Sequence, residues 1–163
     1  MARRDKINYY LDIAETVSHR GTCLRRNFGA IIVKDDEILS TGYSGAPRGR
    51  KNCCDLGTCH RENLQIPRGE RYELCRSVHA EANAIIVAAR RDCLGATMYL
   101  VGREADGAFV ADANSCPMCR RLIINAGITT VIIRQSENEY SVIDVDAEWV
   151  TNDDSLSAHT AGY

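Results

Sequence analysis

Val78-His79-Ala80-Glu81-Ala82-Asn83-Ala84 and Ser115-Cys116-Pro117-Met118-Cys119 decide how this chain folds. Between them they offer one imidazole, two thiols and a carboxylate left over. A catalytic zinc takes three protein ligands and keeps a fourth position for water. His79, Cys116 and Cys119 fill the three, and Glu81 stands ready to handle the protons of that water. Pro117, between the two cysteines, is a favoured first helical residue. An apolar helix from Met118 to Ala126 would set both thiols on one face of its first turn. A helix N-terminus and a metal each lower a thiol's pKa, so thiolate forms at neutral pH. His79 and Glu81 would not share a face in mid-helix. They are therefore expected at the start of a helix running to about Arg91, with both side chains entering one pocket.

Outward from these stretches the pattern alternates between helix and strand. Ile7, Tyr10, Leu11, Ala14 and Val17 recur at helical spacing within residues 5–20, and Gly21 stops that helix. Strands are expected at Phe28 to Lys34 and Glu37 to Tyr43, with Asp35-Asp36 as the hairpin turn. Ala30-Ile31-Ile32-Val33 is a continuous apolar run, which implies burial on both faces. Residues 44–76 are irregular, and a loop of that length needs a function or an internal staple, for which its cysteines are candidates. In the helix from 78, Ala82, Ile85, Ile86 and Ala89 are expected to face inward. Ala96 to Val101 and Thr129 to Arg134 read as further strands, and Glu139 to Val145 as an edge strand. Residues 102–114 read as an idle surface insertion, and about 151–163 as a polar tail. The order β-β-α-β-α-β predicts one α/β domain over residues 1–163, with a mixed sheet covered on both faces.

Composition narrows the function. The 163 residues are 45% hydrophobic and 26% charged, as in a globular chain. No apolar run approaches the ~20 residues of a membrane span, and Met1-Ala2-Arg3-Arg4-Asp5-Lys6 lacks the apolar core of an export signal. A cytoplasmic location is expected, so eight cysteines point to metal ligation before disulfides. The net charge of −2 gives no global field for long nucleic acid. Arg48, Arg50, Lys51, Arg61, Arg68, Arg71 and Arg76 are nevertheless clustered, which points to a local anionic partner such as a phosphate.

His79-Ala80-Glu81 followed by Cys116-x-x-Cys119 resembles the zinc-dependent cytidine deaminase superfamily. Thr41-Gly42-Tyr43-Ser44-Gly45-Ala46-Pro47, His79 to Ile85 and Cys119 to Ile128 look more narrowly like deoxycytidylate (dCMP) deaminases and their competence-operon relatives. The resemblance covers roughly residues 5–134 and implies a three-layer α/β/α cytidine-deaminase-like fold with a mixed central sheet. It implies zinc on His79, Cys116 and Cys119, Glu81 as proton shuttle, and hydrolysis of dCMP to dUMP and ammonia. It also implies base contacts from the backbone at Ala80 and Ser115, a sugar border at Tyr43 and Ser44, and a phosphate or subunit contact from Arg48 or Arg90. Homo-oligomers, typically hexamers regulated by dCTP and dTTP, are implied too. The chain departs from the family at Ser115, where proline is usual, and at Ser44, where asparagine is usual.

Family members often carry a second, structural zinc, and Cys23, Cys53, Cys59 and Cys75 fit that pattern, with Cys54 and His60 as competing ligands. Cys93 reads as a plain core cysteine. Two alternatives remain at this point. One is a deaminase acting on another substrate: a nucleoside, dCTP or tRNA. The other is a non-catalytic, zinc-stapled competence or interaction protein, for which an unligated Glu81 has no use.

Overall fold

The computed structural model describes residues 2–152, so the expected tail lies almost wholly outside the described residues. The sheet is built around β1 (Arg26–Lys34). All four residues of its apolar run are buried, because successive side chains of a strand face opposite sides and both sides are covered. Ala30 and Ile32 join a core with Met98, Leu100, Val131 and Ile133. Ile31 and Val33 join a second core with Tyr99, Val101 and Ile132 on the other face.

Five strands form the sheet: β1, β2 (Glu37–Tyr43), β3 (Thr97–Glu104), β4 (Thr130–Arg134) and β5 (Tyr140–Asp144). Their order is β2-β1-β3-β4-β5. Only β3 and β4 run parallel; the other neighbours are antiparallel. The β1–β2 turn at Asp35-Asp36 has φ of 50° and 67°, the left-handed pair whose twist suits a two-residue hairpin. α1 (Lys6–Ser18) covers one face through Tyr10, Leu11 and Ala14. The other face carries α4 (Ala80–Val87) and α6 (Pro117–Ala126), which also pack on each other. The three-layer α/β/α expectation is met.

Two glycines set the layer spacing. A Cβ on Gly42 would lie 2.3 Å from both the Ala80 carbonyl oxygen and the Ala84 nitrogen of α4, and one on Gly29 would lie 2.1 Å from the Ala14 oxygen of α1. Helix backbone therefore rests directly on strand backbone. Across the first of these contacts, Ser40 Oγ donates to the Ala84 oxygen at 2.8 Å, and Asn83 Nδ2 donates to the Tyr43 oxygen at 2.8 Å.

The remaining elements amend the sequence reading. Between β2 and α4 lie α2 (Cys53–Leu56), α3 (His60–Asn63) and a 3-10 turn at Tyr72–Leu74. Here the Asn52 side chain joins neighbouring segments: its Oδ1 accepts from Thr22 Oγ1 at 2.9 Å and from the Ala46 nitrogen at 3.2 Å. The helix expected to reach Arg91 ends at Val87. Ala88 and Ala89 are extended, and α5 (Arg90–Cys93) starts afresh, burying Cys93. Ile86, expected to face inward, is 75% exposed, and Ala89 is exposed as well. β3 continues to Glu104, and the segment after it is no idle insertion: Val110 and Ala113 are buried in the core shared by α4 and α6. After β5, a π-helical turn at Asp146–Val150 buries Trp149 beside α6, with the Arg120 guanidinium 5.1 Å from the indole centroid. No helix among the described residues is long and apolar enough to cross a membrane.

Candidate active site

α4 and α6 begin at neighbouring points beyond the sheet, and their first residues supply the site. His79 is the N-cap of α4 and Cys116 the N-cap of α6, both with extended backbone, and Pro117 opens the helix after Cys116. The buried stripe Cys119, Ile123 and Ala126 follows helical spacing and turns Cys119 inward. Two positive helix ends thus meet at one point, which favours anionic side chains there.

His79 Nδ1 lies 3.4 Å from Cys116 Sγ and 3.5 Å from Cys119 Sγ. The three ligand atoms all fall within 4.8 Å of one another, the one such group of three among the described residues. A tetrahedral zinc, with bonds of about 2.3 Å to sulfur and about 2.0 Å to nitrogen, separates these atom types by about 3.5 Å. The triangle therefore has the size of a zinc site as well as its donor set.

The groups gathered here shift one another's proton affinities. Burial disfavours the charged His79 ring, but hydrogen bonds to Cys116 and Cys75 and the nearby Glu81 charge outweigh it and lift the pKa to about 10. Cys116 is lowered to about 4, chiefly by its hydrogen bond with Cys119 and then by His79, against the pull of burial. Cys119 is pushed upward, because Cys116 already carries the negative charge of the pair. Glu81 is 4% exposed, and burial raises its pKa from the ordinary carboxylate value. A carboxyl raised in this way sits closer to the range where it both takes and gives a proton near neutral pH.

These groups open into a cavity of about 250 Å³ lined by His79, Glu81 and Cys116. Phe28, Ser44, Tyr72 and the stretch from Val110 to Asn114 form more of its wall, as do Arg25, Arg26, Arg61 and Arg68. The Tyr72 ring stands edge-on to the His79 ring at 5.0 Å between centroids.

The expected contact residues separate. Ser44 lines the cavity, but its Oγ already accepts from the Phe28 nitrogen at 3.0 Å. Ala80 is the first residue of α4 and fully buried, and Ser115 is buried beside Cys116, its carbonyl accepting from Arg120 Nε at 2.9 Å. Tyr43 is half-buried and does not line the cavity. Arg48 and Arg90 are exposed and do not line it either; Arg90 Nε donates to the Asn125 oxygen at the end of α6. Of the four thiols expected to hold a second metal, Cys23, Cys59 and Cys75 line the cavity and Cys53 is buried. All eight cysteines are free thiols, and these four form no group within 4.8 Å of one another. Tyr72 and the Val110–Asn114 wall escaped the sequence reading, and Arg61 stood in it only as one of the seven clustered basic residues. That cluster pointed to an anionic partner without separating Arg61 and Arg68 from the rest.

Residues 4–135 match the family model described as the cytidine and deoxycytidylate deaminase zinc-binding region. A deoxycytidylate deaminase of Mycobacterium phage D29 is 38% identical over 137 residues, which are 81% of this chain and 96% of that protein. The deoxycytidylate deaminase of Schizosaccharomyces pombe is 31% identical over 131 residues, 80% of this chain but 37% of that longer protein. Among solved structures, dCMP deaminase from the cyanophage S-TIM5 in complex with dCMP and dUMP superposes with a TM-score of 0.57 at 26% identity. That superposition covers 83% of this chain and 85% of the phage enzyme. With zinc-sized donor geometry at the meeting of two helix ends and this match over most of its length, the chain belongs to the cytidine and deoxycytidylate deaminase family.

Proposed function

We propose that this protein is an enzyme that hydrolyses dCMP to dUMP and ammonia, with zinc held by His79 Nδ1, Cys116 Sγ and Cys119 Sγ. The observation that carries this reading is the His79–Cys116–Cys119 triangle facing a cavity into which the buried Glu81 also opens. Zinc at such a site lowers the pKa of water and so permits hydrolysis at neutral pH. Glu81 takes the proton released as the nucleophile forms and returns it to the leaving amine, which departs as ammonia. By family resemblance the buried Ala80 and Ser115 backbones border the base, and Ser44, which lines the cavity, borders the sugar. Phe28 and Val110 exclude water from the ring with apolar surface. A non-catalytic, zinc-stapled role is disfavoured, because burying a carboxyl that ligates nothing is costly without a function.

The test is a zinc count per chain together with ammonia release from dCMP, deoxycytidine, cytidine and dCTP. One catalytic equivalent of zinc with turnover of dCMP supports the reading, and silence on every substrate refutes it.

We also propose a second, structural zinc on Cys23, Cys53, Cys59 and Cys75. Support comes from Cys23, Cys59 and Cys75 all lining the same cavity, with the buried Cys53 near enough for the charges of those three to raise its proton affinity further, after burial. Cys75→Ser should then remove one zinc equivalent, and an unchanged metal content refutes the site. Assembly as a homo-oligomer, hexameric by family resemblance, belongs to the same reading, as do dCTP and dTTP as effectors and a cytoplasmic location. The exposed Ile86, Val87, Leu94 and Leu122 support assembly by leaving apolar surface uncovered. Sedimentation with and without each nucleotide tests it.

A further inference from the structure

The cavity wall holds a buried guanidinium that no carboxylate neutralises among the described residues. Arg61 is 7% exposed. It donates through Nη2 to the Pro67 and Glu70 backbone oxygens, and its Nε has no partner. Its face rests on the Tyr72 ring at 4.7 Å. The other cavity arginines differ in this respect: Arg25 pairs with Glu62 at 3.1 Å and Arg26 with Glu104 at 2.8 Å. Glu73, on the adjoining turn, is paired with Arg71. A buried cation without a counter-charge is costly unless something anionic meets it. The two carbonyls that Arg61 holds bracket Arg68, which is exposed at the cavity rim and has no ion-pair partner among the described residues.

We propose that Arg61 and Arg68 form the phosphate subsite of this cavity, so that the 66–71 loop, and not Arg48 or Arg90, selects a nucleoside monophosphate over a nucleoside. The proposal rests on the deaminase reading for the identity of the rest of the ligand. Arg61 supplies a cation without a counter-charge from within the wall, and Arg68 adds a second from the rim. Two guanidinium groups around one phosphate give the charge-assisted geometry that recognises a phosphomonoester. Because Arg61 also holds the Pro67 and Glu70 carbonyls, it positions Arg68 as well as binding in its own right.

The deciding variant is Arg68→Met, whose exposed side chain supports nothing else in the fold. Steady-state kinetics on the zinc-loaded chain should show kcat/KM for dCMP falling about 10- to 100-fold, mostly through KM. The preference for dCMP over deoxycytidine should fall by the same factor. Equal losses on both substrates, or an unaltered preference, overturn the proposal. Inorganic phosphate supplies a readout independent of turnover: it should raise the Tm of the unmodified chain and raise it less in Arg68→Met and Arg61→Met. Should no substrate be deaminated while that arginine-dependent shift persists, the deamination reading fails and the phosphate subsite stands. A phosphate shift equal in all three proteins would overturn the subsite.

Discussion

Glu81 and His79 stand two residues apart at the head of one helix, and the chain gives them different surroundings. Burial works against a charged His79 ring, but hydrogen bonds to Cys116 and Cys75 and the nearby Glu81 charge raise its proton affinity. Glu81 is sealed from solvent, and burial raises its proton affinity. A glutamine in its place keeps the shape and removes the proton exchange. Glu81→Gln should therefore bind zinc as the unmodified chain does while kcat for dCMP falls by about 10²–10⁴-fold. Loss of zinc in that variant would instead make Glu81 a ligand. These residues were legible in the sequence because each sits at a helix start, where short spacing already fixes relative position. Arg61 was not, because it is one arginine among several in an irregular stretch. Only the tertiary fold decides which of them is buried without a counter-charge.

At the scale of elements, the site depends on how closely α4 lies on β2. Gly42 permits that approach, since a methyl group there would meet the Ala80 and Ala84 backbone at 2.3 Å. Gly42→Ala should cost about 1–3 kcal/mol in urea denaturation. It should also reduce deamination in the protein that remains folded, because α4 carries His79 and Glu81 at its first turn. An unchanged urea midpoint would show that α4 can move away freely. The extent of α4 was the least legible part of the fold. Ala84-Ile85-Ile86-Val87-Ala88-Ala89-Arg90 contains neither glycine nor proline, so nothing local marks the break after Val87. Strand boundaries were clearer, since the apolar run of β1 and the paired aspartates after it leave few alternatives. The wall formed by Val110 to Asn114 was hidden by the polar residues around its few apolar ones.

For the molecule as a whole, α1 is fastened to the end of β4 through Arg134, which is 1% exposed. Arg134 donates to Asp12 Oδ1 at 2.7 Å and to the Asn8 oxygen at 3.1 Å. Burial pushes the Asp12 carboxyl up, but hydrogen bonding with Arg4 and the Arg134 charge hold it below its ordinary value. Asp12 thus binds its proton less readily folded than unfolded. Its contribution is complete above about pH 4 and is lost as the pH falls through the lowered folded value. Between pH 7 and pH 3 the Tm of Asp12→Asn should drop by less than that of the unmodified chain, which a thermal melt at each pH would check. Chelation tests the molecule in another way. A metal bound only by the folded chain stabilises it by mass action, so a chelator should lower Tm and abolish deamination together, and added zinc should restore both.

The chain's single tryptophan offers a way to watch that exchange without a label. Trp149 lies beneath Arg120, and Arg120 holds the carbonyl of Ser115 next to Cys116. A divalent cation held by Cys116 and Cys119 at the first turn of α6 would alter the field at Arg120 and so at the indole. Ultraviolet-excited emission should shift in proportion to occupancy, turning an ordinary fluorimeter into a titration instrument for this centre.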